Sequence, residues 1–369
     1  MKILQIIYES FGSPFGFGGA GMRAYEIFRR LKDRNDITFL CMKYPGAEDR
    51  EIEGLKHHFA GIESNNFNRS VFSYTLNAGK FVRKNGDRFD IIIENFLPAT
   101  PFFSRYLTKT PVLLQIQDFW GKHVFKRYPF RFALPMFFAE KCYPKLYPQI
   151  IFVSDVTRER FHLPAKTITI PNGIDERLLQ ANEENDNSIL FLSSIDLYKK
   201  GLDVLLEAFS RISPLYQNVI LSIAGTGRDF DLLKHEIDKL PVHVRKNVRL
   251  LGWVSGEEKT RVISRALFTV LPSRHESSPI SILEAAACGK PVIVSDIPEL
   301  AFVCREGFGI SFSSGSANEL SEQIKLLLAD NIKREALGKH GREFAAHFLW
   351  DDIALQFEEI LKHTVENSE

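Results

Sequence analysis

The strongest constraint on the fold is a repeated alternation of short apolar runs with helical stretches. Most of the runs are apolar throughout, as expected for strands that are covered on both faces. Parallel strands need long crossover connections, which are usually helices. The pattern therefore predicts an α/β chain whose parallel sheets carry helices on both sides. The predicted strands are Ile3–Tyr8, Ile37–Met42, Asp90–Glu94, Val112–Ile116, Ile150–Val153, Thr167–Ile170, Ile189–Ser193, Val219–Ala224, Val248–Leu251, Phe268–Leu271, Val292–Ser295 and Gly309–Phe312.

The length of 369 residues predicts two domains. A boundary is expected near the turn Pro171-Asn172-Gly173, which follows a predicted strand. We place an N-terminal domain at residues 1–168 and a C-terminal domain at residues 169–349, both Rossmann-like. Two such domains would leave a cleft at the carboxyl ends of their strands, where ligands of these folds bind. The predicted helices include Met22–Leu31, Leu202–Ile212, Glu257–Ala266 and Glu319–Leu328.

Composition excludes several classes of protein. Apolar residues make up 44% of the chain and charged residues 25%, which is ordinary for a globular protein and excludes general disorder. Apolar stretches such as Phe132–Ala139 are too short to span a membrane, and Glu9 interrupts the apolar centre that a signal peptide needs. Four scattered cysteines form no CxxC pair or zinc spacing. We therefore expect a cytoplasmic protein with buried, reduced thiols and no metal.

The net charge of +1 conceals an asymmetry. Residues 1–165 carry +8 and residues 166–369 carry −7, which suggests that the first part meets an anionic partner. Segment 122–149 combines basic and aromatic residues, a composition that suits an anionic bilayer and a peripheral position on the inner face of the cell membrane. An equally weighted alternative has the aromatic residues in the core and the lysines in solvent. Prolines that would interrupt an amphipathic helix weaken the membrane interpretation: Pro129, Pro135, Pro144 and Pro148.

A glycine-rich loop, Ser10–Gly21, follows the first predicted strand. It contains a literal GxGxxG at Gly16, Gly18 and Gly21, which alone would suggest a dinucleotide. The glycines begin too far beyond the strand, however, and no acidic residue closes the second strand. A flexible surface loop is the alternative to a backbone that approaches a ligand phosphate at a helix N-terminus.

The most informative stretch is Leu271–Asp296, LPSRHESSPISILEAAACGKPVIVSD. Ser278 is expected to cap a helix with Pro279 at its first position, so that the N–H groups of Ile280 and Ser281 form an anion site. Glu284 would lie about 9 Å further along the helix, where a ribose would meet a diphosphate bound at the helix start. Glu276, ahead of the helix, would face a sugar on the other side. Because Glu284 stands among apolar residues, it should have a partner.

Three further loops follow predicted strands. Lys199-Lys200-Gly201 precedes a helix, and Lys200 could neutralise a phosphate leaving group, although a solvated lysine pair is the commoner arrangement. Ser222–Arg228 is a glycine-rich turn followed by Asp229-Phe230-Asp231, a literal DxD for which helix capping is favoured over metal binding. Leu250–Val254 could flank a base or pack in the core.

These landmarks together resemble the family 4 retaining glycosyltransferases, which have the GT-B fold of two Rossmann-like domains facing a cleft. The resemblance rests on the motifs IPNGID, KKGLDVLLEAF, IAGTG, LLGWVS and PSRHESSPISILEAAACGKPVIVSD, and on the Glu276-x7-Glu284 spacing. It covers almost the whole chain. In the family the N-terminal domain binds the acceptor, the C-terminal domain binds the nucleotide sugar, and the last helix, here within residues 350–369, packs back onto the N-terminal domain.

The resemblance also implies roles for individual residues. Glu284 would hold the ribose, Glu276 and the backbone after it would contact the donor sugar and phosphate, and Lys200 would neutralise the diphosphate. Asp118 joins Glu276 and Lys200 as a candidate catalytic residue. The remaining candidate donor-binding residues are Gly18, Gly19, Ser194, Gly225, Gly227, Trp253, Val254, Ser278, Ile280 and Ser281.

Two positions depart from the family pattern. Ser193-Ser194 stands where Gly-Arg is usual, so one phosphate-neutralising cation is missing there, and Arg274 or another arginine could substitute. Gln117-Asp118 stands where His-Asp or His-Gly is common, which removes an expected histidine contact; His123 is close in sequence. The mechanism implied by the family takes place on one face of the sugar, with the leaving phosphate accepting the proton, and needs neither a strong protein base nor a metal.

The resemblance therefore implies a retaining hexosyltransferase. It would move a hexose from a nucleotide diphosphate sugar to a glycan or lipid-linked acceptor in cell-surface polysaccharide or glycoconjugate biosynthesis, with no cofactor, metal or nucleic acid. Three alternatives remain: a sugar-nucleotide epimerase or hydrolase on the same fold, an NAD-dependent oxidoreductase, and an inactive nucleotide-sugar-binding protein.

Overall fold

The computed structural model describes residues 1–163, 166–181 and 185–367. The chain divides into two compact units. Unit 1 comprises Met1–Asn172 together with Trp350–Glu369, and unit 2 comprises Gly173–Leu349. Each unit is built on its own β-sheet. The alternation of apolar runs and helices thus gives an α/β fold.

The sheet of unit 1 has eight strands in the order β3-β4-β2-β1-β5-β6-β7-β8. All neighbouring strands are parallel except β3 and β4, which form an antiparallel pair at one edge. Buried apolar side chains from the central strands fill the core, as in a sheet that is covered on both faces. The strands are β1 Lys2–Ile6, β2 Asp36–Met42, β3 Arg50–Ile52, β4 Leu55–Ala60, β5 Ile91–Asn95, β6 Val112–Ile116, β7 Gln149–Phe152 and β8 Lys166–Thr169.

The helices of unit 1 include the last helix of the chain, which packs against the first. Phe28 and Phe357 meet edge to face with ring centroids 5.8 Å apart, and Arg30 forms an ion pair with Asp351 at 2.7 Å. The helices are α1 Gly19–Leu31, α2 Phe67–Asn85, α3 Val124–Arg127, α4 Phe130–Cys142, α5 Asp155–Phe161 and, at the end of the chain, α15 Trp350–Glu366.

Unit 2 contains a six-stranded parallel sheet in the order β11-β10-β9-β12-β13-β14. Its strands are β9 Ser188–Leu192, β10 Ile220–Ala224, β11 Val248–Gly252, β12 Ala266–Leu271, β13 Val292–Ser295 and β14 Gly309–Phe312. Its helices are α6 Arg177–Gln180, α7 Leu202–Ile212, α8 Phe230–Asp238, α9 Val242–Arg245, α10 Gly256–Arg265, α11 Ile280–Ala287, α12 Ala301–Arg305, α13 Ala317–Ala329 and α14 Asn331–Ala345.

The twelve predicted strands all form, with ends shifted by at most two residues. Strands β3 and β4 were not predicted, because LKHHFA carries a lysine and two histidines in place of a continuous apolar run. His57 is nevertheless buried in β4, where its ring stacks on Phe39 at 5.0 Å. The expectation of buried thiols holds for Cys41 and Cys288 and is wrong for the exposed Cys142 and Cys304.

The placement of the last helix changes the charge distribution. The segment from Trp350 onward carries six acidic residues and one lysine and belongs to unit 1. Counted by unit, the formal charges are +4 for unit 1 and −3 for unit 2. The asymmetry keeps its sign but is smaller than the division of the sequence at residue 165 suggests.

Candidate functional site

Two residues with separate predicted roles in unit 2, Lys200 and Glu276, form a buried ion pair. Lys200 Nζ lies 2.5 Å from Glu276 Oε1, and the two side chains are 9% and 5% exposed. The Ser273 hydroxyl donates to the same carboxylate oxygen at 2.7 Å. Lys200 precedes α7 and Glu276 lies in the loop after β12, so the sheet brings together residues that are 76 positions apart. The pair offers a positive charge beside a carboxylate in a poorly hydrated site.

Close backbone packing holds this lysine in place. Gly201 has a positive φ of 64°, and a Cβ added there would lie 2.0 Å from the Pro272 carbonyl oxygen. The turn therefore requires glycine. Next to it, the Arg274 N–H donates to the Lys199 carbonyl at 2.9 Å. The loops after β9 and β12 consequently form one rigid surface around the Lys200–Glu276 pair.

Glu284 also forms an ion pair with a lysine. It lies on α11, is buried among apolar residues and accepts a hydrogen bond from Lys259 Nζ of α10 at 2.5 Å. The side chains are 20% exposed for Lys259 and 10% for Glu284. This lysine is the partner expected for a carboxylate in such surroundings. Both carboxylates of the Glu276-x7-Glu284 motif are thus compensated by a lysine from another element.

Helix α11 begins one residue later than predicted. Pro279 occupies the N-cap position, so Ser278 is not the cap and Pro279 is not the first helical residue. Because proline lacks a side-chain acceptor, it provides no side-chain hydrogen bond to the first turn. Ile280 and Ser281 remain in that turn, where backbone N–H groups have no partner within the helix. The anion site inferred from the sequence therefore keeps its donors.

The glycine turn after β10 packs against the loop that contains Ser194. A Cβ at Gly225 would lie 1.9 Å from the Ser193 carbonyl oxygen, and one at Gly227 would lie 2.3 Å from the Ile195 carbonyl oxygen. Ser194 itself is exposed. The glycines allow the two loops to approach closely, which places the Ser194 loop beside this turn.

Arg274, which the sequence offered as a substitute for the missing arginine, is paired with a carboxylate. Arg274 forms two hydrogen bonds with the Asp203 carboxylate, at 2.8 and 2.7 Å, and its guanidinium lies 4.8 Å from the Tyr198 ring centroid. This carboxylate raises the pKa of Arg274 above its usual value. A second arginine, Arg228, lies 3.6 Å from Asp196. Both arginines therefore stand in ion pairs.

Other candidate residues in unit 2 divide between surface and core. Trp253 is 50% exposed, whereas Val254 is 5% exposed and belongs to the hydrophobic core. Asp229 stands at the N-cap of α8 but forms no side-chain capping bond; its carboxylate accepts the Leu197 N–H at 3.0 Å. Helix capping by this side chain was therefore a wrong expectation. Within the described ranges, no group of three or more potential ligands could hold a metal ion.

The glycine loop of unit 1 binds a carboxylate of its own chain. Glu9 Oε2 accepts the N–H groups of Gly18 at 2.9 Å and Gly21 at 2.6 Å, and Glu9 Oε1 accepts the Tyr8 hydroxyl at 2.9 Å. Burial raises the pKa of Glu9 although these donors oppose the shift. The Gly18 N–H, a predicted phosphate contact, is thus already used, while a Cβ at Gly19 would face open space.

The Asp118 loop follows β6 in unit 1. The Gln117 side-chain amide donates to Asn95 at 2.9 Å, and Asp118 accepts the N–H of Phe119 at 2.9 Å. Glu140 of α4 then accepts the next two backbone N–H groups of the loop, each at 2.7 Å. A buried carboxylate on α4 therefore orders the loop directly after Asp118.

The basic aromatic segment contains a helix that the prolines were expected to interrupt. Helix α4 runs through Pro135, whose side chain is exposed. Phe130, Leu134 and Phe138 follow at a spacing of four along one side of α4 and are 68%, 36% and 55% exposed. Tyr143 and Tyr147 of the same segment are buried, whereas Phe132 is 46% exposed. Part of the segment therefore lies in the core and part on the surface, and the membrane interpretation stays a prediction.

Three residues of these sites were not predicted from the sequence. Glu9, Glu140 and Lys259 each lie outside a recognisable motif. Glu9 binds N–H groups of the glycine loop, Glu140 binds N–H groups of the loop after Asp118, and Lys259 binds Glu284. Burial of Glu9 and Glu140 was not visible from their neighbours in the chain. The only indication of Lys259 in the sequence analysis was the expectation that Glu284, which stands among apolar residues, has a partner.

Comparison with known proteins places the chain in a family. The family described as "Glycosyltransferase Family 4" matches residues 17–178, and the family "Glycosyl transferases group 1" matches residues 175–344. The chain belongs to the family 4 glycosyltransferases of the GT-B type. An uncharacterized glycosyltransferase of Methanocaldococcus jannaschii is 26% identical over 96% of this chain and 97% of its own length.

Other similarities are more distant or more partial. A phosphatidyl-myo-inositol mannosyltransferase of Mycobacterium leprae is 29% identical over 56% of each chain. Among solved structures, a sucrose-phosphate synthase of Thermosynechococcus elongatus has a TM-score of 0.81 at 20% identity, covering 98% of both chains. Anabaena HepE, solved with UDP and glucose, has a TM-score of 0.75 at 18% identity, covering 98% of this chain and 99% of its own. These structures share the GT-B fold.

Proposed function

We propose that the protein transfers a hexose, with retention of anomeric configuration, from a nucleotide diphosphate sugar to a glycan or lipid-linked acceptor. The observation that carries the proposal is the arrangement of the two motif carboxylates in unit 2. Glu276 is paired with Lys200, and Glu284 lies along α11, whose first N–H groups have no partner within the helix. The mannosyltransferase homologue and the UDP-bound HepE structure support a nucleotide-sugar donor.

The chemistry proposed for this site is a substitution at the sugar carbon that carries the diphosphate. The bond from this carbon to the diphosphate oxygen breaks, the acceptor oxygen bonds to the same face, and the acceptor proton passes to the leaving phosphate. Lys200 and the start of α11 stabilise the negative charge that develops on the diphosphate. Glu276 orients the sugar and Glu284 the ribose. Because these groups supply the charge stabilisation, the reaction is proposed to need no metal.

Turnover with labelled donors tests this assignment. We expect Lys200→Ala and Glu284→Ala each to lower turnover at least about a hundredfold, because each removes a charged contact. Lys325→Ala is the matched control, since Lys325 forms a surface ion pair with Glu322 on α13. Normal turnover in both site variants, with folding unchanged, would refute the proposal. An acceptor screen separates transfer from donor hydrolysis or epimerisation.

We also propose that the acceptor is reached at an anionic membrane surface on the inner face of the cell membrane. The support is the exposed stripe Phe130, Leu134 and Phe138 on α4, next to basic side chains such as Arg131 and Lys141. Apolar side chains flanked by cations suit the interface of an anionic bilayer. No helix within the described ranges has the length and apolar character needed to cross a membrane.

Co-sedimentation with vesicles tests the membrane surface. The full chain should pellet more with phosphatidylglycerol vesicles than with phosphatidylcholine vesicles, and added salt should weaken this binding. Phe130→Ser with Phe138→Ser should lower binding strongly, whereas the control Leu215→Ser should not, although Leu215 of unit 2 is 69% exposed. Equal pelleting with both lipids would contradict the electrostatic contribution.

A further inference from the structure

Lys259 binds one of the two motif carboxylates although it lies outside every motif. Its Nζ is 2.5 Å from Glu284 Oε1, across 25 positions of sequence. Lys259 lies near the start of α10, the helix that follows the Trp253-Val254 loop. It therefore stands between the loop expected to flank a base and the carboxylate expected to hold a ribose.

We propose that Lys259 is a positioning residue of the donor site, which fixes the Glu284 carboxylate so that it recognises the ribose hydroxyl groups. This inference rests on the proposed function of Glu284 as the ribose-binding residue. Lys259 would act through Glu284 and need not touch the reacting atoms.

The geometry of the carboxylate allows both partners. An ionised carboxylate offers about four lone-pair positions on two oxygens. Lys259 occupies one position on Oε1, which leaves Oε2 and the rest of Oε1 for vicinal hydroxyl donors. A lysine at this distance restricts the side-chain rotamer of Glu284.

The surroundings of Glu284 explain why a cation is needed. Leu283 and Ala285 are buried, the Glu284 side chain is 10% exposed, and an isolated charge in such surroundings is costly. Lys290, a second lysine after the same helix, donates instead to Asn185 at 2.8 Å. Lys259 thus compensates the carboxylate from a separate helix, and its position is set by the packing of α10 against α11.

Pairs of ribose and 2′-deoxyribose nucleotides provide the test. A site that is built to bind a hydroxyl group discriminates against a ligand that lacks it. Calorimetric titration with UDP, GDP and ADP identifies the base that the wild type prefers. The affinity for that diphosphate is then divided by the affinity for its 2′-deoxy form, and this ratio is compared between variants. This ratio isolates ribose recognition, because a general loss of folding or phosphate affinity changes both ligands equally.

Lys259→Met should lower the ratio about tenfold, chiefly by weakening binding of the ribose form. Lys259→Arg should retain most of the ratio, and the surface control Lys325→Met should leave it unchanged. An unchanged ratio in Lys259→Met would overturn the proposal. Tighter binding of the ribose form would also overturn it, since Lys259 would then compete with the ribose.

Failure of the donor assignment would have a different signature. If the wild type bound none of the three diphosphates, the proposed function and the role of Lys259 would both be refuted. The wild type could instead discriminate against the deoxy form while Glu284→Gln and Lys259→Met keep the same ratio. That result would support nucleotide binding but refute the roles of both Glu284 and Lys259 in ribose recognition.

Discussion

Replacement of Lys200 by methionine tests the buried ion pair of unit 2 independently of any ligand. The substitution keeps most of the side-chain volume and removes the charge. The Glu276 carboxylate, which is 5% exposed, still accepts the hydrogen bond from the Ser273 hydroxyl in this variant. The charge of Glu276 then loses the ammonium group that lies 2.5 Å away in the wild type.

The magnitude follows from the burial of the pair. Removal of one member of a buried ion pair typically costs about 3–5 kcal/mol, because the remaining charge is uncompensated. We expect about 3 kcal/mol, since the Lys200 side chain retains 9% exposure and water can reach its position in the variant. For a unit of the size of Gly173–Leu349, this corresponds to a fall in Tm of about 6–12 °C.

Calorimetry of the full chain provides the assay, because the two units can unfold in separate transitions. Lys200→Met with Glu276→Gln should recover about 2 kcal/mol of the loss, since the double variant contains no uncompensated charge. The control Lys325→Met removes one member of a surface ion pair and should shift Tm by less than about 2 °C.

A Tm of Lys200→Met within about 1 °C of the wild type would refute the energetic argument. So would a double variant that is no more stable than Lys200→Met. Either result would mean that the Glu276 charge is compensated by solvent rather than by the lysine.

Three further predictions concern stability and local order. Burial raises the pKa of Glu94 above its ordinary value of 4.5, so the carboxyl group binds its proton more tightly in the folded protein than in the unfolded one. The free energy of unfolding therefore falls as the pH rises from 4.5 to the pKa of the folded protein. Urea titrations should therefore show that Glu94→Gln lowers the free energy of unfolding by less at pH 8 than at pH 5. A difference between variant and wild type that does not depend on pH would contradict this. Gly201→Ala should lower Tm sharply, because its Cβ would lie 2.0 Å from the Pro272 oxygen, whereas Gly19→Ala should not; equal Tm values would refute the steric argument. Glu140→Gln should speed hydrogen exchange at the two amides that the carboxylate holds, by about tenfold or more, and unchanged exchange would count against its ordering role.

The elements of the fold were predictable where the apolar pattern was continuous. Strands such as β6 and helices such as α7 form at their predicted positions, because a continuous apolar run and a period of 3.6 residues are both local properties. Strand β4 was not predictable in this way, because its polar residues hide its burial. The continuity of α4 was not predictable either, because a single exposed proline removes one N–H without ending the helix.

The candidate site was predictable to a similar extent. Glu276, Glu284 and Lys200 could be selected from the sequence because each stands next to a strand end or within a helix start. The contacts between them and their partners could not, since Lys200 is 76 positions from Glu276 and Lys259 is 25 positions from Glu284. Nothing in the chain near Glu9 indicated that it would occupy the N–H groups of the glycine loop.

The sequence by itself determined the α/β class, because that class depends on local periodicity, and its motifs resemble those of the family to which the chain belongs. Tertiary structure alone decided which charges are paired and which side chains join the last helix to the first. This helix, together with the unit boundary after Asn172, reduces the charge asymmetry from +8 and −7 to +4 and −3. Strand order and helix packing bring together residues that are distant in the chain, and no local pattern specifies those pairings.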